Sequence, residues 1–470
     1  MTEKSYDAIV VGGGPGGYVA AIRLGQLGQQ VLVVEREYMG GVCLNWGCIP
    51  SKALISAASL AHHVQHAENM GITVSGLNVD VTKLQAWKGT IVKKLTSGVT
   101  NLVKSNGGAI VMGRAKLTGA HTVLVTKEDG KTESFVARKA IVIATGASPI
   151  NIPGFTVDGK VVITAREAVS LPQVPKTLVI IGGGIIGMEL GMMYQKLGAK
   201  VIVVEMLPQI LTGVDPEAVR VVQKRFTDRG GEVLVNTKAT GCKTQGSKAT
   251  VSVDVEGKAR DIEADNVLVA VGFKPNSADL GLSDFGIKTD QRGHVLIDER
   301  LQTNVPGVYA IGDVTGAPYL AHRAMVQGEV VAEVIAGKKA VWDFRAMPSA
   351  TFTEPEIATV GLSDKEAKDQ GKTVKIGKFP WSVNGRAMAL DEAAGFAKVV
   401  LDAEQNQVLG ITIVGPEASD LISEAALSIE MCAYAEDVAL TIHPHPTLSE
   451  GLGEAFKHAL GEAVHVMNKK

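Results

Sequence analysis

Two cysteines five positions apart, Cys43 and Cys48, sit in the stretch Gly40-Gly41-Val42-Cys43-Leu44-Asn45-Trp46-Gly47-Cys48-Ile49-Pro50-Ser51-Lys52. A disulfide needs Cα atoms within ~7 Å, which an ideal helix does not give at that spacing, so Asn45 and Gly47 are expected to loosen the turn. A pair held in this way is suited to open and close. Pro50 fits the first position of a helix running from Ser51 into Ala57. Cys48 then lies just before a helix N-terminus, where the macrodipole and the nearby Lys52 favour a thiolate. The competing reading is two buried, reduced cysteines that never pair. Cys242 and Cys432 have no patterned partner and read as structural.

Near the other end, His443-Pro444-His445-Pro446-Thr447-Leu448-Ser449-Glu450 places two imidazoles between prolines with a carboxylate shortly after. A histidine oriented by a carboxylate is a standard general base for a thiol. His-x-His can also chelate zinc, but no patterned third or fourth ligand follows, so no metal is expected. A purely structural histidine is the remaining alternative.

The third element is a repeat. Asp7 to Val11 reads as a strand, Gly12-Gly13-Gly14-Pro15-Gly16-Gly17 opens a helix through Leu27, and Gln30 to Val34 reads as a second strand ending at Glu35. The plan recurs as a strand over Thr177 to Ile181, Gly182-Gly183-Gly184-Ile185-Ile186-Gly187 opening a helix to Leu197, and Lys200 to Val204 ending at Glu205. In both copies the acid follows the first glycine by 23 positions, and the copies are 170 residues apart. Gly12 and Gly182 permit the tight turn, Gly14 and Gly184 let backbone N–H groups approach a pyrophosphate, and Gly17 and Gly187 pack helix on strand. Glu35 and Glu205 can accept hydrogen bonds from ribose hydroxyls. A carboxylate at Glu205 repels a 2′-phosphate, which favours NAD over NADP at the second site.

Elements must hold these groups, and a chain of 470 residues exceeds the ~250 to 300 at which one core stops growing. Short β-branched strands bounded by glycine recur at Ala140 to Ala144, before Thr145-Gly146, and at Val308 to Ile311, before Gly312-Asp313. From about Phe344 the pattern changes: Thr351 to Gly361 and Phe396 to Gly415 are strand-rich and Ala418 to Tyr434 reads as helix. The class expected is α/β: two Rossmann-like dinucleotide-binding domains, a central domain and a C-terminal α+β domain. With 47 Lys+Arg against 49 Asp+Glu, electrostatics suggest neither nucleic acid nor an acidic membrane as a partner. No segment approaches the ~20 consecutive apolar residues of a membrane span, and the polar start reads as cytoplasmic.

Taken in order, the first fingerprint, Cys43 to Cys48, Ala144-Thr145-Gly146, the second fingerprint, Gly272 to Asn276, Gly312-Asp313, Leu320-Ala321-His322 and His445 to Glu450 resemble the class I flavoprotein pyridine nucleotide-disulfide oxidoreductase family over essentially the whole chain. The resemblance implies FAD and NAD as cofactors and a homodimer with an FAD-binding domain over 1–149, an NAD-binding domain over 150–276, a central domain over 277–343 completing the FAD site, and an interface domain over 344–470. It implies that Glu35 holds the adenosine ribose, Asp313 the ribityl chain, and Lys52, paired with Glu189, the flavin ring, with Thr145, Gly146, Gly272 and Ala321 also against cofactor. Cys43 would exchange with substrate and Cys48 would face the flavin.

Within the family the motifs are most similar to the members that oxidise dihydrolipoyl groups, with a lipoylated acyltransferase or carrier protein of a 2-oxo acid dehydrogenase or glycine cleavage complex as partner. Met206 and Leu207 follow Glu205 where NADP-using members place basic residues, and the C-terminus carries no further redox residue. Phe273 stands where many members have Arg, and Ile185 where some have Tyr, which bears on how tightly nicotinamide is held. The rivals are another NAD(P)H-dependent disulfide reductase and a flavin-bound redox-sensing subunit.

Overall fold

In the computed structural model, which describes residues 4–468, the chain divides into two compact units. One is built from residues up to Leu54, Val81–Ile150 and Gly272–Asp343, the other from Ile55–Asp80, Asn151–Val271 and the residues from Phe344 onward.

The first unit is organised by a seven-stranded sheet. Strands Lys4–Val11 and Val31–Glu35 run parallel, joined by helix Pro15–Gln26. Their apolar residues are continuous rather than alternating because helices or strands cover both faces of a parallel sheet; Ala8 to Val11 and all of Val31–Glu35 are buried. The strand expected over Ala140 to Ala144 is much longer, Thr132–Ile143. Lys4–Val11 runs parallel to it from Phe135 to Ile143, while on its other side the first half pairs antiparallel with Thr122–Thr126 and the apolar second half parallel with Val308–Ala310. One strand thus carries two sequence patterns because its two halves have different neighbours on one side. Residues 81–105 form a 25-residue helix that no motif announced.

The second unit repeats the plan. Thr177–Ile181, helix Ile185–Lys196 and Lys200–Val204 sit in a five-stranded parallel sheet, beside a three-stranded antiparallel sheet over Thr237–Gln245, Lys248–Val255 and Lys258–Ala264. From Ser349 onward a five-stranded antiparallel sheet packs against helices Ala418–Glu430 and Ser449–Leu460 around fully buried Trp381. This is the α+β part. The first of those helices stops short of the expected Tyr434, because Cys432 takes a left-handed φ of 55° just past its end.

Two buried ionic clusters tie the nucleotide-binding segment of this unit to its C-terminal segment. Lys398 pairs with Asp215, whose other oxygen caps helix Pro216–Asp228 at the Glu217 N–H, 2.9 Å away. Glu354 is gripped by Lys196 and Arg229. Burial alone would raise the Glu354 carboxyl, but those two cations hold it at about 2. Among the described residues no helix is long and apolar enough to cross a membrane.

Candidate active site

The two glycine turns have the same geometry. Gly12 and Gly182 sit at φ 108° and 103°, where a side chain is strained, and a Cβ on either would strike a backbone oxygen, that of Ala144 at 2.3 Å or Ala270 at 2.5 Å. Glu35 Oε2 accepts from the Gly13 N–H at 2.6 Å and Oε1 from the Glu37 N–H at 2.8 Å. Glu205 does the same with Gly183 and Leu207, at 2.7 and 2.8 Å. Each carboxylate is fixed by its own turn, and each oxygen keeps a lone pair for a hydroxyl. The helix N-termini behind Gly14 and Gly184 have no side-chain cap, and a Cβ on Gly184 would meet nothing within 4 Å. Unclaimed N–H groups facing open space are what a pyrophosphate requires.

The cysteine turn differs from expectation in one respect. Helix Cys48–Gln65 begins at Cys48 itself, so Cys48 is its first residue and Pro50 its third. Proline costs nothing there, because the first four N–H groups of a helix lack intrahelical partners anyway. Before it, the short helix Gly41–Asn45 breaks at Trp46, and the Val42 carbonyl accepts from both Trp46 N–H and Gly47 N–H, at 3.0 and 2.6 Å. Asn45 locks this break by donating to the carbonyls of Met39 and Gly41. Both cysteines are free thiols hydrogen-bonded to each other, Cys43 buried and Cys48 half-buried. The Cys48 sulfur and burial push the Cys43 thiol far up, against a smaller opposing pull from the Cys48 N–H and Lys52.

In the same unit, Thr145 Oγ1 donates to the Asn276 carbonyl at 2.7 Å, and Asn276 returns bonds from its side chain to the Thr145 carbonyl and from its N–H to the Gly146 carbonyl. This clasp joins the two crossings between segments, where Ala147–Pro149 pairs with Phe273–Pro275 just beyond Gly272. Asp313 lies on a single turn, Gly312–Thr315, with Ala321 opening the next helix. Burial raises the Asp313 carboxyl to about 6, although Arg323 pulls it down.

The second unit holds the remaining groups. Glu189 is buried and accepts from the Phe352 N–H at 2.9 Å. His445 Nδ1 meets Glu450 Oε1 at 2.8 Å, with the ring 79% exposed, so its Nε2 edge is presented outward. Burial alone would raise Glu450, but bonds from the Thr447 N–H and His445 outweigh it and hold the carboxyl below its usual range. Cys43, Cys48, Lys52, Asp313 and both residues of the Asn276 clasp therefore share one unit, and Glu189, Glu205, His445 and Glu450 the other.

Residues 6–328 match the model of the pyridine nucleotide-disulphide oxidoreductases, and 347–456 that of the dimerisation domain of the same family. The chain belongs to this pyridine nucleotide-disulphide oxidoreductase family. Its relatives include the dihydrolipoyl dehydrogenase of Geobacillus stearothermophilus, 45% identical with 98% of each chain covered. That of Thermus scotoductus is 45% identical, covering 99% of this chain and all of the other. The crystal structure of LpdA from Mycobacterium tuberculosis superposes with a TM-score of 0.90 at 28% identity, over 96% of this chain and 99% of that one. FAD and NAD are the cofactors of this oxidoreductase, and the paired uncapped turns fit their two pyrophosphates. Its dimerisation domain supports a homodimer. Sequence reasoning assigned no role to Asn276 or Arg323. The first lay inside a stretch already singled out, while only the fold brings Arg323 to Asp313.

Proposed function

We propose that this oxidoreductase oxidises dihydrolipoyl groups with NAD, as a dihydrolipoyl dehydrogenase. The observation that carries this is identity of 43 to 45% over nearly the full chain to several dihydrolipoyl dehydrogenases. His445, oriented by Glu450, takes the proton from one dihydrolipoyl thiol, and the resulting thiolate attacks Cys43 of the Cys43–Cys48 disulfide, releasing Cys48 as thiolate. The second substrate thiol then attacks the mixed disulfide, freeing the cyclic disulfide product and leaving Cys43 reduced. FAD and NAD, when bound, take up the electron pair that this leaves on the two cysteines.

Glu35 and Glu205 hold ribose hydroxyls, with Gly12, Gly14, Gly17, Gly182, Gly184 and Gly187 shaping the phosphate turns. Lys52 and Glu189 serve the flavin ring, and Thr145, Gly146, Gly272 and Ala321 shape the cofactor's surroundings. His445 acts on the cysteine pair of the other subunit: Leu440 and Ile442, just before it, are 82% and 94% exposed, as apolar residues facing a second copy would be. The physiological substrate is a lipoyl group on an acyltransferase or carrier protein.

The deciding experiment is an anaerobic panel of lipoamide, glutathione disulfide and mercuric ion with NADH and NADPH; turnover of glutathione disulfide in preference to lipoamide would overturn the assignment. In the same panel NADH should be preferred, because the fixed Glu205 carboxylate faces the 2′ position. Glu205→Ala combined with Met206→Arg should narrow the gap by about tenfold, roughly 1.4 kcal/mol. Equal use of both nucleotides by the unaltered protein would contradict the role of Glu205.

Asp313 gives a pH test. Its carboxyl stands at about 6 in the fold against an ordinary 3.8, so the ligand-free protein binds an extra proton between those values and loses stability as pH rises through them. A hydroxyl donated to the ionised carboxylate reverses this preference. FAD should therefore bind the stripped protein more tightly as pH rises from 5 to 7, by up to about tenfold per unit. Titration followed by flavin fluorescence should show that slope, and Asp313→Asn should flatten it.

A further inference from the structure

The motif that supplies His445 carries a second imidazole, His443, to which the mechanism gives no part. Its ring is 10% exposed, and Nε2 meets Glu424 Oε1 at 2.8 Å. Glu424 belongs to helix Ala418–Glu430, whereas the ring rests on Gly453 of helix Ser449–Leu460, where a Cβ would fall 2.9 Å from the imidazole. That second helix also carries Glu450, which orients His445.

We infer that His443 is a positioning residue for the thiol base: with Glu424 it forms a half-buried dyad that pins the Pro444–Pro446 loop between the two helices and so sets His445 on Glu450. This rests on the assignment of His445 as base. The geometry supports it in two ways. The His445 ring is largely exposed and hydrogen-bonded to Glu450 at 2.8 Å, so much of its placement comes from the backbone on either side. On one side that backbone is held by Thr447, which donates its N–H to Glu450 at 2.7 Å; on the other it is held by His443. The charged groups that face His443 are Glu424, which raises it, and Lys457 of helix Ser449–Leu460, which opposes more weakly than the Glu424 bond. The bond to the Glu424 carboxylate favours the imidazolium.

The test compares His443→Leu, His443→Gln and Glu424→Gln as full-length, FAD-loaded dimers. Dihydrolipoamide oxidation should fall about 10- to 100-fold in His443→Leu, in kcat rather than in KM for NAD, the penalty of a base misplaced by about 1 Å. NADH-driven reduction of a dye at the flavin, which needs no thiol base, should be unchanged. His443→Gln, which can still donate to Glu424, should recover most of kcat. Should His443→Leu fail to give a folded dimer, Glu424→Gln decides alone through the kcat loss with dye reduction intact. Unaltered kcat in the folded variants would overturn the proposal. His445→Gln run alongside separates the two ideas: if it too keeps full turnover, the base assignment is what failed.

Discussion

Cys43→Ser should abolish dihydrolipoamide turnover, to the limit of detection, while leaving NADH reduction of an artificial dye. The dithiol route needs a sulfur that can be attacked, can hold the substrate as a mixed disulfide and can be released again, and serine oxygen does none of these. The dye route begins and ends at the flavin. The glycine turns and the Asn276 clasp lie outside the substituted side chain, so FAD content should stay near one per chain. The variant also has a signature that a damaged fold would lack. The Cys43 thiol is pushed up chiefly by its bond with the Cys48 sulfur, so the two cannot both ionise easily; removing one sulfur leaves a single thiol at this turn, against an unchanged background from Cys242 and Cys432. Thiol titration against pH should change from two coupled steps to one. Lipoamide activity surviving in Cys43→Ser would mean that the exchange thiol lies elsewhere.

His445→Gln should lose about 10² to 10⁴ in dihydrolipoamide turnover, the usual cost of a missing general base, and keep its FAD. Whether His445 serves its own chain or the partner is decided by mixing. In a heterodimer of one Cys43→Ser chain and one His445→Gln chain, shared sites leave one intact: Cys43 of the second chain with His445 of the first. Activity near half of normal should return. Sites built within single chains would each carry a lesion, and the heterodimer would be folded and inactive.

Local chemistry explains which of these features could be read from sequence. The turn from Gly12 to Glu35 is specified by residues whose partners lie within one βαβ unit, and the Gly13 N–H reaches Glu35 across only 22 positions. The same holds at Gly183 and Glu205. The start of the cysteine helix was misplaced because proline is tolerated anywhere in a first turn, so Pro50 marks a region and not a residue. The polar half of strand Thr132–Ile143 and the hand-off from Asn276 to Thr145 were illegible for another reason. Their partners are set by topology, and Thr145 and Asn276 stand 131 positions apart. His443 was visible as half of His-x-His, but its role was not, since Glu424 is on a neighbouring helix.

The two ionic clusters of the second unit restrict how this protein can be re-engineered. A designer wishing to swap its nucleotide-binding segment for one from an NADP-using relative would cut near Asn151 and Val271, and so take Asp215 from Lys398, which keeps Asp364, and leave Glu354 without Lys196 and Arg229. Stranding one partner of a buried pair costs about 3–5 kcal/mol, a large part of what holds a typical domain together. A graft that ignores these charges should yield an insoluble chimera whatever its cofactor preference. One that transplants Asp215, Lys196 and Arg229 with the new segment keeps the joint closed, so the interchangeable module is the segment together with its docking charges.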